Sequence, residues 1–364
     1  MVVHARSAAV AIGSAVIAAT IAISLALPAQ AASSARWHIV HRFEPRHEYS
    51  AYRSVAVSGS HAWAVGGTGV AANGLPIAAY FSNGRWSASK VPGIAAYIGT
   101  IMAVSADAPG DAWAVSPGAV LHWHGGRWRI AKKWNLSGGP PGPYKSGITA
   151  ISPTNVWVFG GGSFGNGTWH LNGRHWTKIT GPGRSIFAAS AASPRDMWAI
   201  GGTKFTTLLH YYHGAWHTVT SPALSGLNFG SVFASSATSV WLTASPVGKT
   251  GLLLLHHSGT RWTTYAIPSA LPLSAVAADG LPFGGLSPDG HGGFWLSAFS
   301  SGTNWLLDRS SAGHWSRIRM GTDVVWSLAR IRATATLWAT GSTRQGHSQN
   351  QYTNAVIWAY SPAR

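Results

Sequence analysis

His122 and His124 stand one residue apart in the run VLHWHGG. On an extended strand that spacing puts both imidazoles on one face, as in many metal sites. Yet the position six residues before a recurring tryptophan holds Tyr80, His122, His170, His210 and His256 in turn. A position filled so regularly in five places is a packing position, so no metal and no cofactor are expected. Acid–base chemistry has little to draw on, because the chain holds nine Asp and Glu and its only glutamates are Glu44 and Glu48. Cys is absent, which removes thiolate ligands, a cysteine nucleophile and a disulfide framework. The glycines fall where turns need them and match no phosphate-cradling context.

The recurring tryptophan belongs to a repeat. SPTNVWVFGG at Ser152 returns as SPRDMWAIGG at Ser193, with looser copies at Ser58, Pro109, Ser236, Gly292 and Arg332. Each copy follows a short run of small and β-branched residues and precedes two more short runs divided by a tight glycine turn. Four short alternating strands per unit form an antiparallel meander. Self-similarity at a period near forty residues implies a repeat architecture. Counted on the first tryptophan, the units fall at Trp63, Trp113, Trp157, Trp198, Trp241, Trp295 and Trp338. Fourth strands carry Trp86, Trp128, Trp176, Trp216, Trp262 and Trp315, but the seventh unit ends with the chain. ARWHIVHRF, Ala35 to Phe43, supplies the missing strand from the other end. The chain is therefore read as all-β: a seven-bladed β-propeller over residues 32–364 whose ring the N-terminal strand closes, leaving no open sheet edge.

Glycine pairs after the second strand (Gly66-Gly67, Gly161-Gly162, Gly201-Gly202), then Tyr or His in the third strand and Trp in the fourth, resemble kelch-type repeats. The whole is similar to the central propeller of the galactose-oxidase group and to uncharacterised secreted propellers of actinobacteria. That copper-radical chemistry does not follow, since its cofactor needs a Tyr–Cys crosslink. SPDGHGGFW at Ser287 resembles the Asp-box of sialidases with its glycine displaced by one. Their arginine trio and Tyr–Glu pair have no counterpart with only two glutamates in the chain.

Residues 1–31 read as a secretory signal peptide: His4 and Arg6, an uncharged stretch from Ser7 to Ala31, and the small-residue site Ala29-Gln30-Ala31. An uncleaved anchor facing outward is the alternative, because Ala8 to Leu27 is long enough to span a bilayer. Otherwise no membrane insertion is expected. The formal charge of +17 favours polyanions. Outside the cell these are glycans or cell-wall polymers rather than nucleic acid.

In such a meander the second-to-third and fourth-to-first connections share one face of the disc, and they are the long ones: 43–53, 67–77, 134–146, 268–283 and 342–353. Function concentrates in loops of this kind. The sequence therefore predicts a secreted or cell-surface binding module for a glycan, cell-wall polymer or protein. The alternative is an extracellular lyase or hydrolase on the same scaffold. Trp134 and Tyr144 bracket a Gly/Pro loop and offer flat apolar surfaces. Glu44, Glu48, Asp279 and Asp323 form the expected acidic cluster of the same face. Asp107, Asp111, Asp196 and Asp289 fall in the opposite turns, where turn capping is expected. Arg127, Arg129, Lys132 and Lys133 stand together on an outer blade edge as a candidate polyanion-binding strip, to which RIRM adds Arg317 and Arg319. Trp326, in a first strand, is assigned to packing.

Overall fold

The computed structural model describes residues 36–45, 48–69, 74–94, 100–134, 145–160, 167–179, 185–202, 205–249, 251–267, 285–300, 302–331, 334, 336–345 and 352–361. The signal peptide expected at 1–31 lies outside them. Among the described residues no helix is long and apolar enough to cross a membrane.

Seven four-stranded antiparallel sheets form the ring of a β-propeller. The innermost strands, blade by blade, are Ser50–Ser58, Ala103–Ala108, Lys145–Ser152, Ile186–Ser193, Leu227–Ser236, Leu286–Pro288 and Val324–Arg330. Six blades run outward in chain order. The seventh takes Arg36–Phe43 as its outer strand, paired antiparallel to Tyr352–Ser361 from Arg36↔Ser361 to Phe43↔Ala355. Across the seam the Ser50 hydroxyl donates to the Thr353 carbonyl (2.9 Å) and accepts from the Ala355 N–H (2.8 Å). The Thr353 hydroxyl answers by donating to the Ser50 carbonyl at 2.8 Å.

The two tryptophan registers are the wedge between blades. Trp113 meets Trp176 of the next blade edge-on at 6.2 Å, and Trp157–Trp216, Trp198–Trp262 and Trp338–Trp86 repeat the contact at 6.3, 6.0 and 5.0 Å. Trp37 of the closing strand does the same for Trp295 at 5.6 Å. The remaining pairs, Trp63 with Trp128 and Trp241 with Trp315, share apolar clusters. Edge-to-face pairs of this kind contribute about 0.5–1.5 kcal/mol beyond the area they bury. Innermost strands are also laced together by serines: Ser54, Ser105, Ser190 and Ser327 each accept a backbone N–H from the following blade at 3.0–3.3 Å.

The recurrent histidines lie flat on the first-register tryptophans. Ring centroids are 3.9 Å apart for Trp113–His122 and 4.0 Å for Trp157–His170 and Trp241–His256, with Trp198–His210 at 4.1 Å. Burial lowers the pKa of His170 and His256, favouring neutral rings. In the sixth blade Asp308 takes this place, opposite Trp295. Burial, and then the charge of Asp289, push its carboxyl up to about 6 from 3.8. Below pH 3.8 the group is protonated in both folded and unfolded chains and contributes nothing. As pH rises to about 6 the unfolded chain ionises first, so stability falls and stays reduced above that range. Asp308→Asn is expected to match the wild type at pH 4 and to exceed it at pH 8 by about 1 kcal/mol, a figure already discounted for partial exposure. Equal gains at both values, measured by denaturant melts, would contradict this assignment.

Candidate functional site

The inner strands share a second regularity, invisible as a motif. In five of them the register with the second strand skips one residue, leaving Arg53, Ser146, Phe187, Gly230 and Trp326 as bulges. Each bulge follows a residue paired with a small one: Gly66, Gly160, Gly201, Ala244 and Gly341. All five small residues stand three places after the first-register tryptophan. A Cβ at Gly66 or Gly341 would overlap the carbonyl oxygen of Ala51 or Val324 on the bulged strand. The glycine therefore makes room for the bulge, and the bulge re-aims a side chain. In the third blade the residue in this register is Gly160, one place before the Gly161-Gly162 pair.

Arg53, Phe187, Gly230 and Trp326 line the central channel, a cavity of about 320 Å³, together with Met102 and Phe205. They stand near the beginnings of inner strands and so ring the mouth on the long-loop face. The Arg53 guanidinium lies over the Trp326 ring at 4.4 Å, and Phe187 meets Phe205 edge-on at 4.5 Å. Phe205 holds a φ of +59° in its second-to-third connection, a conformation that costs a non-glycine residue of order 1 kcal/mol or more. The mouth thus combines a held cation with aromatic rings half open to solvent. Among the lining residues none is Asp or Glu.

Of the residues expected to form the site from sequence, those that are described do not line this channel. Trp134 is half-buried and meets Trp169 edge-on at 5.9 Å, packed against the apolar cluster between the second and third blades. Tyr144 and Asp279 lie outside the described residues. Glu48 is exposed, and Glu44 is exposed and paired with Arg42 at 3.0 Å. Burial raises the Asp323 pKa, against the pull of the Arg344 N–H and of Arg42. Arg42 thus faces both Glu44 and Asp323 near the seam. On the outer strand Arg127–Lys133, Arg127, Arg129 and Lys133 are exposed. Lys132 instead lies over the Trp169 ring at 4.5 Å, where a register shift at Val120/Leu121 turns it toward the next blade. Arg317 and Arg319 are exposed, the former 5.6 Å from the Trp305 ring centroid.

Asp289 caps its turn, accepting from the N–H groups of His291 and Gly293. Asp111 and Asp196 bind histidine side chains instead, His122 and His210 respectively, at 2.9 and 3.0 Å. Trp326, assigned to packing from sequence, is a channel residue. Its signal was positional: in the five bulged blades the residue ten to twelve places before the first-register tryptophan varies from Gly to Arg to Trp, while the residue after it stays small (Ser54, Gly147, Ala188, Ser231, Ser327).

No protein-family model matches the chain, and no curated protein matches it. Solved structures similar to it share the propeller fold at low identity. YCF48 bound to D1 peptide is 11% identical with a TM-score of 0.58, covering 90% of this chain and 97% of that one. The extracellular domain of a protein described as a one-component system from B. thetaiotaomicron is 12% identical (TM-score 0.57), with 89% and 40% covered. The GH74 xyloglucanase from Xanthomonas campestris is 14% identical (TM-score 0.57), with 88% and 55% covered.

Proposed function

We propose that this protein is an extracellular binding propeller that takes an anionic polymer, a glycan or cell-wall polymer, at the channel mouth of its long-loop face. The observation that carries the reading is the bulge-borne pair Arg53–Trp326, set beside Phe187, Phe205 and Met102 at one opening. An aromatic ring offers a flat apolar surface to a sugar ring or side chain, and the arginine offers planar donors to carboxylate or sulfate. The net charge of +17 draws such a ligand toward the disc. The leader at 1–31 supports export. The similar structures include one bound to a peptide, an extracellular domain and a xyloglucanase, all compatible with ligand capture on a propeller. Hydrolysis through two carboxylates finds no support in the described channel lining.

Heparin fragments serve as the probe. Arg53→Ala and Trp326→Ala are each expected to weaken binding about tenfold or more at unchanged melting temperature. Affinity is expected to fall as salt rises. Wild-type affinity in both variants, with loss instead in an Arg127→Ala, Arg129→Ala double variant, would move the site to the outer rim.

A further inference from the structure

We propose that Asp111, His122 and His124 bind a divalent first-row transition-metal ion of the zinc type on the short-turn face, opposite the channel mouth. The three side chains converge. His122 Nε2 lies 3.0 and 2.9 Å from the two Asp111 oxygens, and His124 Nδ1 lies 3.2 Å from Oδ2. One ligand atom from each residue falls within 4.8 Å of the others. Zinc bonded to N and O at about 2.0–2.1 Å in a tetrahedron holds its ligand atoms about 3.3 Å apart, so small side-chain movements suffice.

The other blades explain why this is more than the repeated histidine contact. The strand register puts Asp111, His122 and His124 where the first blade has His61, Tyr80 and Ser82. The third has Asn155, His170 and Asn172, the fourth Asp196, His210 and Tyr212, the fifth Ser239, His256 and Ser258. A stacked histidine with one polar partner is therefore the packing device. An anionic ligand with two imidazoles occurs in the second blade alone among the described residues.

The parts differ in exposure as a metal site needs. Asp111 is buried, and His122 is fixed by its stack on Trp113 at 3.9 Å. His124 is exposed over 71% of its side chain, which leaves solvent access for a fourth ligand. Among the described residues, three charged groups face the cluster. Asp107 is the extra residue of a bulge between Ala106 and Ala108 and lies against Asp111. Arg127 and Arg129 stand across the strand pair from His124 and His122. Arg127 and Arg129 are exposed and Asp111 is buried, so salt screens the arginines' repulsion of a cation more than the carboxylate's pull, and metal affinity is expected to rise with ionic strength, opposite to polyanion binding.

The test titrates the full chain with Co²⁺ and Zn²⁺. The wild type is expected to bind one equivalent, with the visible absorption of tetrahedral cobalt. His124→Asn installs the residue of the third blade and leaves the Trp113–His122 stack in place. Outer-shell losses alone cost about 10–100-fold in affinity, so loss of this ligand is expected to cost at least a hundredfold at unchanged melting temperature. X-ray absorption of the zinc-loaded wild type, which needs no variant, is expected to show two imidazoles and oxygen near 2.0 Å. No binding by the wild type, a shell without two imidazoles, or undiminished binding by His124→Asn would overturn the assignment.

Discussion

A chain shortened to begin at Ser50 is expected to lose the closed ring. Deleting Arg36–Phe43 removes the outer strand of the seventh blade and leaves the hydrogen-bonding edge of Tyr352–Ser361 uncovered. It also takes away Trp37, which wedges against Trp295 at 5.6 Å and Tyr360 at 5.5 Å. A packed tryptophan alone is worth about 3–5 kcal/mol by truncation. Adding a lost strand brings the deficit into the range of about 5–15 kcal/mol that holds a whole domain folded. The seam contacts between Ser50 and Thr353 survive the deletion, yet they close only the inner edge. Size-exclusion chromatography and thermal melting against a chain beginning at Ala32 give the answer. Aggregation or a collapsed melting transition is expected. Equal solubility and equal heat stability would show that the strand is an accessory.

The second large effect is expected at Gly341. Gly341→Val puts a branched side chain where even a Cβ overlaps the Val324 carbonyl and closes on the Trp358 ring at 3.1 Å. Overpacking of this kind costs about 3 kcal/mol when the backbone cannot move. At roughly 1.5 °C per kcal/mol for a chain of this size, the melting temperature is expected to drop by about 4 °C. The variant has a second consequence, because the displaced strand carries Trp326. Binding at the channel mouth is expected to weaken further than the stability loss alone explains. Ala244, paired with Phe229 beside the Gly230 bulge, shows that one blade accepts a methyl. Gly341→Ala is accordingly expected to cost less than Gly341→Val. A valine variant as stable as the wild type would mean that the bulge relaxes freely and does not hold the ring of side chains in place.

These two positions mark how far the sequence could be read. The closing strand was legible because the tryptophan registers count: six fourth-strand tryptophans for seven units leave one place, and Trp37 fills it. The packing role of the histidines was legible for the same reason, though not their stacking on the tryptophans. The bulges were not, since a bulge is a backbone event whose sequence trace is only a small residue on the partner strand. One inserted residue reverses which face a side chain takes. Trp326 therefore read as packing, and Arg53 did not register at all. Asp111 read as a turn cap because its partners arrive from the third strand, eleven and thirteen residues on. Trp134 lies just beyond its strand, as its place in the sequence suggests, but its edge-on contact with Trp169 under the same Lys132 had no sequence signal.

Ligand capture by the bulged residues of the inner strands is the proposal on which the binding function rests. Hydrogen–deuterium exchange of the full chain, with and without a saturating heparin fragment, tests it most directly, because it maps contact without altering any residue. Slowed exchange is expected around Arg53, Met102, Phe187, Phe205 and Trp326, with the outer strands Arg127–Lys133 and Trp315–Gly321 unchanged. Protection confined to those outer strands, with the inner-strand beginnings unaffected, would contradict it.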